Sequence, residues 1–551
     1  MPGLILGPML RYVSETEATV FVETDAACEV EVLDARAATF AVEGHHYALV
    51  QIEGLEPGST TPYEVGLDGE KAWPPAGYEL PQPAIRTFGG GNEKVEIAFG
   101  SCRVALPHEP PYTLPKDKDE RGREFDALYV LAREMLRKPP GDWPDLLLML
   151  GDQVYVDEGS LQVRQKIRAR RDVSKAPGEE VADFEEYTWL YHESWGDPLI
   201  RWLYSTVSSS MIIDDHDVHD DWNISRAWVE EMRELDWWDE RITGAFMSYW
   251  VYQHIGNLSP RALAESKMFA EVTGAEDAGG LLRDYAERSD RQDAGTRWSF
   301  CRDLGDARLI VMDSRAGRVL EEERRSIFDD HEWEWISEHT RGDFDHLLIG
   351  TSDPFLMTKG FHYLEAWNER LADGVWGARA ARLAEKMRRG VDFDHWPAFS
   401  RSFGEMSELL EEVGAGRRGR APASIVLLSG DVHHAYLAEA AFRRTRGVRS
   451  AVWQVVVSPM RNSLDRHERL AVLASGTSLG GWLARLLARA AGVPDPEIRW
   501  RLREGARFDN QIGTLTVRGR SAELKLEKTS PGDEQDERRL ETSFERRLTP
   551  D

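Results

Sequence analysis

The stretch Leu146–Glu158, LLLMLGDQVYVDE, constrains the fold of this chain more than any other. Five apolar residues in a row, Leu146 to Leu150, fit a strand covered on both faces, the kind found in sheets with helices packed on each side. The run stops at Gly151, whose missing side chain lets the backbone approach whatever lies past the sheet. Asp152 and Tyr155 follow, two oxygen donors at the carboxyl edge where open α/β sheets bind ligands. A Gly-Asp pair after a single strand also serves as an ordinary capped turn. It gains weight because the chain repeats the pattern.

Val95–Phe99 is a second buried-type strand and ends in Gly100-Ser101-Cys102-Arg103. Pro107–Lys118 reads as a surface loop and Phe125–Arg137 as a helix, so a strand–helix–strand unit leads back to Leu146. A short apolar run at Met211–Ile213 then enters the loop Asp214-Asp215-His216-Asp217-Val218-His219-Asp220-Asp221-Trp222-Asn223. Carboxylates packed this densely repel one another unless cations neutralise them or solvent spreads them. Ala307–Met312 delivers Arg315 and Arg318, and His346–Gly350 ends in Thr351-Ser352-Asp353. Ser424–Leu428 ends in Gly430-Asp431-Val432-His433-His434, Val452–Val457 leads to Ser458-Pro459, and Asn510–Glu527 reads as a closing hairpin. Aromatic-rich helices at Phe184–Val207, Ser225–Asn257 and Leu258–Ser299 are expected to flank the sheet. Lys359–Trp396 is a mixed insertion with the character of a lid. Val163–Asp172, dense in arginine, reads as a solvated helix face or a substrate-attracting rim.

The first part of the chain has a different rhythm. From Leu4 to Phe88 short bursts of alternation, such as ATVFVET and CEVEVLD, are separated by turn pairs such as Pro57-Gly58 and Asp68-Gly69. This predicts a small all-β sandwich resembling a fibronectin type III module over residues 1–91. His45 and His46 are neighbours on one strand, so one is expected buried and one exposed. Gly89-Gly90-Gly91-Asn92 reads as a hinge before an α/β domain at 92–528, a sheet core flanked by helices. Residues 529–551 are mostly charged and read as a frayed or helical tail.

Charge and cysteine usage narrow the function. Lys and Arg total 68 against 96 Asp and Glu, a net charge of −28 over 551 residues, which argues against a general nucleic-acid or anionic-membrane binder. Cys28, Cys102 and Cys301 imply no disulfide framework. The amino terminus has no basic leader and is broken by Pro2, Gly3, Gly7 and Pro8, and no uncharged run is long enough to span a bilayer, so a cytoplasmic location is expected.

Cys102, Asp152 with Tyr155, the Asp215–Asn223 loop, and Asp431 with His433 thus stand at four strand ends. If the strands share one sheet, these side chains converge on one edge as a multimetal site. Carboxylate-rich ligation suits Ca²⁺, Mg²⁺ or Mn²⁺, while a thiolate and a phenolate favour Fe³⁺ beside them.

In this order, GSC, GDQVYVDE, DDHDVHDDW and SGDVHHAY resemble the motifs of the PhoD-like alkaline phosphatases, a branch of the calcineurin-like metallophosphoesterases, across about Val95 to Lys528. The resemblance implies a metallophosphatase core behind an accessory β-domain. It implies Cys102, Asp152 and Tyr155 as iron ligands together with Asp431 and His433, with Asp152 bridging to calcium. In the third motif the family's asparagine is matched by Asp220 or Asp221, so Asp215, Asp220 and Asp221 are all candidates there, with Asn223 open. Metal ions at such a site make hydroxide available near neutral pH to attack phosphorus and take up charge on its oxygens. Arg315, helped by Arg318 or Arg103, is the expected clamp on the non-bridging oxygens, or else pairs with an aspartate in the sheet. His216 or His434 is expected to protonate the leaving group. The expected activity is hydrolysis of small or lipid-like phosphate monoesters or diesters; the rival is a scaffold that keeps the fold without turnover.

Overall fold

The computed structural model describes residues 1–90, 93–291, 296–530 and 538–550. Half of the expected hinge, Gly91 and Asn92, and the stretch 531–537 of the expected tail lie outside them.

Residues 4–86 form three small antiparallel sheets. Leu4–Val13, Ala18–Thr24, His45–Ile52 and Phe40–Val42 make one, and Ala35–Ala38, Glu29–Val32, Val65–Leu67 and Glu70–Trp73 a second. Thr60–Pro62 pairs with Ala84–Arg86 in the third. The alternation of the sequence turns Val30, Val50 and Val65 fully inward, so an all-β region forms as expected.

Beyond it stand two mixed sheets. One has the spatial order Ser208–Ile212, Leu146–Leu150, Lys94–Gly100, Gln511–Arg518, Ser521–Ser530, Arg539–Arg547. Its first three strands are parallel and the rest antiparallel. The other runs Phe300–Leu304, Ala307–Met312, His346–Thr351, Ser424–Ser429, Ala451–Val456, Ala435–Ala441, Arg499–Arg507, with the central four parallel up to Ala451–Val456. The expectation of one sheet is corrected here: three of the four ligand-bearing strand ends lie on the first sheet and Ser424–Ser429 on the second. The sheets pack face to face and need glycine where they come closest. A Cβ on Gly430 would stand 1.9 Å from Ser101 Oγ, and one on Gly513 2.9 Å from a Val457 methyl.

Helices cover both sheets. Phe184–Val207 divides into Phe184–Trp195 and Pro198–Thr206 because Asp197 caps the second helix and Pro198 opens it. Ser225–Asn257 likewise is not one helix: Arg226–Met232 stops, and Trp238–Ser248 continues through a π-helical segment, Tyr249–His254. The charged tail is also corrected. Arg539–Arg547 is an edge strand on Ser521–Ser530, with Leu540 and Phe544 against the core, an alternation that the density of charge conceals. The insertion at 359–396 contributes helices Lys359–Ala372 and Ala378–Gly390, and its end is core: Trp396 is fully buried between Phe328 and Phe355.

The β-region is locked to the larger unit by buried charge. Arg11 donates to the carbonyls of Tyr252 (2.5 Å) and Gln253 (2.7 Å). The fully buried carboxylate of Glu23 accepts from Tyr252 Oη at 2.9 Å and lies 2.8 Å from His192 Nε2 and 3.3 Å from His45 Nδ1. His45 Nε2 is 2.7 Å from Glu185. His45 and His46 are both half-buried, not one in and one out, because the docked helix covers the edge of their strand. Burial opposes the charged imidazole, but Glu23 and Glu185 win and raise the His45 pKa to about 9, while the two histidines and Tyr252 hold Glu23 low despite its burial.

A histidine whose pKa rises on folding stabilises the folded chain fully below its unfolded value of about 6.5, and this contribution fades as the pH passes 9. The Glu23 contribution is present above its unfolded value and fades in acid. We therefore expect His45→Gln to lower the thermal midpoint most at pH 5–6, by the equivalent of about 1–2 kcal/mol, with the gap from wild type closing above pH 9 in a differential scanning series. A gap that stays constant with pH would refute the assignment.

Candidate metal centre

Where the two sheets meet, the strand ends bring their polar residues together. Cys102, Asp152, Asp214, Asp215, Asp431 and His433 are supplied by four loops, each entered directly from a strand. The backbone there is under strain: Cys102, Asp152, Asp431 and His433 all have φ between 51° and 62°, the left-handed region that non-glycine residues avoid. Such conformations persist when the surroundings over-determine them, and Asp217 is one reason that they do. Its buried carboxylate accepts from the N–H groups of Asp152 (3.1 Å), Gln153 (3.1 Å), Val154 (3.2 Å) and Asp214 (3.0 Å), tying two ligand loops to one anchor. Gly151 has φ 105°, and a Cβ on it would meet Asp214 Cβ at 2.5 Å.

Two groups of potential ligand atoms result. Cys102, Asp152 and His433 can place Sγ, a carboxylate oxygen and an imidazole nitrogen within 4.8 Å of one another; Asp152, Asp214, Asp215 and Asp431 do the same with four carboxylate oxygens. Asp152 belongs to both. Its Oδ1 and Asp214 Oδ2 are buried without any hydrogen-bond partner, which costs stability unless something positive meets them. Tyr155 closes the first group, its hydroxyl donating to Asp152 Oδ2 at 3.2 Å.

The electrostatics agree. Burial, then the neighbouring acids, push the carboxyl groups of Asp152 and Asp214 well above the usual carboxylate range, against the pull of His216 on the first and Arg315 on the second. Burial and the same acids raise the Cys102 thiol, which lies 3.0 Å from Ser458 Oγ and 3.1 Å from Ser101 Oγ. Burial, with the charge of His216, lowers the His433 pKa and so favours the neutral form that a metal ligand takes. Without cations the cluster would have to hold protons. A donor set of thiol, phenol, imidazole and carboxylates fits metal ions.

The other expected residues fall elsewhere. Arg315 is buried, and its guanidinium is spent on carboxylates: Nε on Asp214 Oδ1 at 2.7 Å, Nη1 on Asp394, and Nη2 3.2 Å from Asp353 and 3.4 Å from Asp431. Of the two readings of Arg315, pairing in the sheet is the one that the structure takes. Arg318 bonds Asp353 and Asp394, and Arg103 is sequestered on Asp126 and Ser194. His216 lies over Tyr155 with Nδ1 3.1 Å from Asp157. His434 places Nδ1 2.7 Å from the Val432 carbonyl, packs against Tyr436 and Phe508, and is pushed by burial down to about 4. Its Nδ1 is thus turned to the backbone, a geometry that does not favour the acid role expected of it. Asp220 and Asp221 stand outside both ligand groups: Asp220 is exposed, and Asp221 is pushed up to about 10 by burial and by Asp392 and Asp394. Asn223 donates to the Arg315 carbonyl at 3.1 Å.

Sequence reasoning missed Asp214 by one residue, since a loop of seven acids and histidines does not say which point inward. It also missed His395, whose Nε2 is 3.2 Å from Asp431 and whose Nδ1 is 2.9 Å from the buried Glu365. The run Asp392-Phe393-Asp394-His395 repeats the acid-and-histidine signature of the third motif, but no strand precedes it.

Residues 122–479 match the profile of the PhoD-like phosphatases, and residues 1–85 match a domain of unknown function, DUF7800. No curated protein matches the chain. Among solved structures, one titled "Structure of PhoD" superposes over 99% of this chain and 90% of its own, with TM-score 0.58 at 12% identity, which shows a shared fold. A dimetal phosphatase from Danio rerio aligns over 83% of this chain and 98% of its own at 8% identity, but its TM-score of 0.30 carries no argument. With a profile match spanning most of its length, a fold shared with PhoD and a carboxylate–thiol–imidazole centre at the expected strand ends, this chain belongs to the PhoD-like phosphatase family.

Proposed function

We propose that the chain is a two-metal phosphoesterase acting on phosphate monoesters or diesters. The observation that carries this reading is the pair of ligand groups sharing Asp152. Cys102, Tyr155 and His433 with Asp152 would hold an iron ion; Asp214, Asp215 and Asp431 with Asp152 would hold Ca²⁺, Mn²⁺ or Mg²⁺. Such ions supply Lewis-acid charge and a nucleophile drawn from water at neutral pH. The chain's own residues do the placing. Asp217 fixes the Asp152 and Asp214 loops, and Arg315 turns Asp214 Oδ1 toward itself, leaving Oδ2 directed to the cluster. Glu365 orients His395 on Asp431, so that this carboxylate is held by His395 as well as by Arg315. His216, braced by Asp157 and tilted against Tyr155, would hold a proton at the rim of the centre.

Asp152→Asn removes the shared ligand. Wild type with added Ca²⁺ or Mn²⁺ is expected to hydrolyse chromogenic phosphate esters, and the variant to lose about a hundredfold or more of that activity, as metal ligands and their supports commonly do; a variant as active as wild type would end the two-metal reading. The ratio of monoester to diester turnover fixes the substrate class. Separately, iron beside a thiolate and a phenolate should colour the protein. Cys102→Ser is expected to lose or shift the visible band with a matching change in iron content by elemental analysis, whereas an active preparation free of iron and colour would sink the iron assignment.

A further inference from the structure

The segment that leaves the metal centre carries a helix turned inside out. Ser458 touches Cys102, Asn462 hydrogen-bonds Tyr155, and the chain then forms helices Arg466–Ser475 and Ser478–Ala490. A helix on a protein surface buries its large apolar residues and exposes polar ones. Ser478–Ala490 does the reverse. It packs through Gly481, Ala484 and Ala488 against Lys359 and Tyr363 of the neighbouring helix, a close fit made possible by small side chains. Leu479, Trp482, Leu483, Leu486 and Leu487, at the i, i+3, i+4, i+7, i+8 spacing of a single stripe, face solvent. With Leu470 and Leu473 of the preceding helix they are each between 43% and 67% exposed. A contiguous patch of this kind on a soluble protein marks a contact surface.

The charges around it say what it contacts. From Arg469 to Pro494 the only charged residues are Arg469, Arg485 and Arg489, in a chain whose net charge is −28. Arg485 and Arg489 share a single acid, Asp495, at 2.6 and 2.5 Å. The adjoining helix Ala378–Gly390, joined to this one through the cluster of Leu371, Ala384 and Ala491, adds exposed Leu383 at its surface. It also bears exposed Arg379, Arg382 and Lys386, none of which makes an ion pair among the described residues. An apolar stripe rimmed by unneutralised cations is complementary to a bilayer with anionic headgroups, whereas a second copy would set cation against cation. Among the described residues no single helix is long and apolar enough to cross a membrane, and the two helices of the pair are bent by 74° relative to one another.

We propose that the 466–490 hairpin, with the exposed face of Ala378–Gly390, docks this protein on anionic lipid surfaces, the leucines and Trp482 entering the interface and Arg379, Arg382 and Lys386 meeting headgroups. The test is flotation of the full-length protein with vesicles of phosphatidylcholine alone or mixed with phosphatidylglycerol. The variant is Leu483→Glu combined with Leu486→Glu, two exposed positions whose replacement leaves the core and the turnover of a soluble ester intact. Wild type is expected to float with the mixed vesicles, less so at high salt, and the double variant to bind about tenfold more weakly or worse. Wild type that stays with the soluble fraction, or binding unchanged in the variant, overturns the proposal. Equal binding to both vesicle types overturns the headgroup assignment. A wild-type dimer that dissociates in the variant, measured by light scattering, would give the face to a second copy instead.

Discussion

One buried guanidinium makes the rest of the site possible. Arg315 stands among Asp214, Asp215, Asp353, Asp394 and Asp431, touching carboxylates from three strand-end loops and the helical insertion. Transferring a carboxylate out of water costs several kcal/mol even after relaxation, and five side by side also repel. Arg315 and Arg318 offset part of this charge but leave an excess of acid on the Asp152 side, where two carboxylate oxygens have no partner at all. The arrangement therefore has a polarity: arginines neutralise the far side of the aspartates and leave the near side to cations. The same residue that sequence reasoning offers as a substrate clamp is, on this geometry, spent on pairing Asp214, Asp353, Asp394 and Asp431, which lets these carboxylates lie close together.

Position is bought with backbone strain. Cys102, Asp152, Asp431 and His433 each take up a left-handed conformation at the point where a strand ends, so their side chains turn back across the sheet edge instead of continuing the pleat. Asp217, with four N–H groups on one carboxylate, and the contact of Ser101 Oγ with the Asp431 N–H at 3.0 Å hold these turns. Gly430 permits that contact, since any side chain there would occupy the place of the Ser101 hydroxyl. Candidate ligands from opposite sheets are thus set in place by backbone hydrogen bonds.

The core strands and the ligands at their ends were legible because each motif is contiguous: an apolar run, a small residue, then a donor. Cys102, Asp152, Tyr155, Asp431 and His433 all follow such runs, and the structure brings them beside one another as candidate ligands. Pairing was not legible. Motif order says nothing about which strands share hydrogen bonds, and the division into two sheets depends on the late strands Gln511–Arg518 and Ser521–Ser530 returning beside Lys94–Gly100. Nor could residue type separate Asp214 from Asp215, Asp220 and Asp221, because the choice is made by a 3-10 turn at Asp215–Asp217 and not by composition. His395, held by Glu365, meets Asp431 only through tertiary packing of the insertion.

A net of −28 describes the field of the chain from afar, yet at physiological salt a charge is felt over only about 8 Å. Between residues 469 and 494 the charged residues are Arg469, Arg485 and Arg489, the last two paired to Asp495, and among the described residues Arg379, Arg382 and Lys386 of the adjoining helix make no ion pair. The apolar spacing of Leu479–Leu487 is visible in the sequence, but it reads naturally as the buried face of an ordinary amphipathic helix. What reverses it is the opposite face: Gly481, Ala484 and Ala488 allow a closer approach than leucines do, so packing takes the small residues and leaves the large ones outside. Periodicity gives the stripe and not its direction, and direction is settled by which face offers the tighter fit to its neighbour.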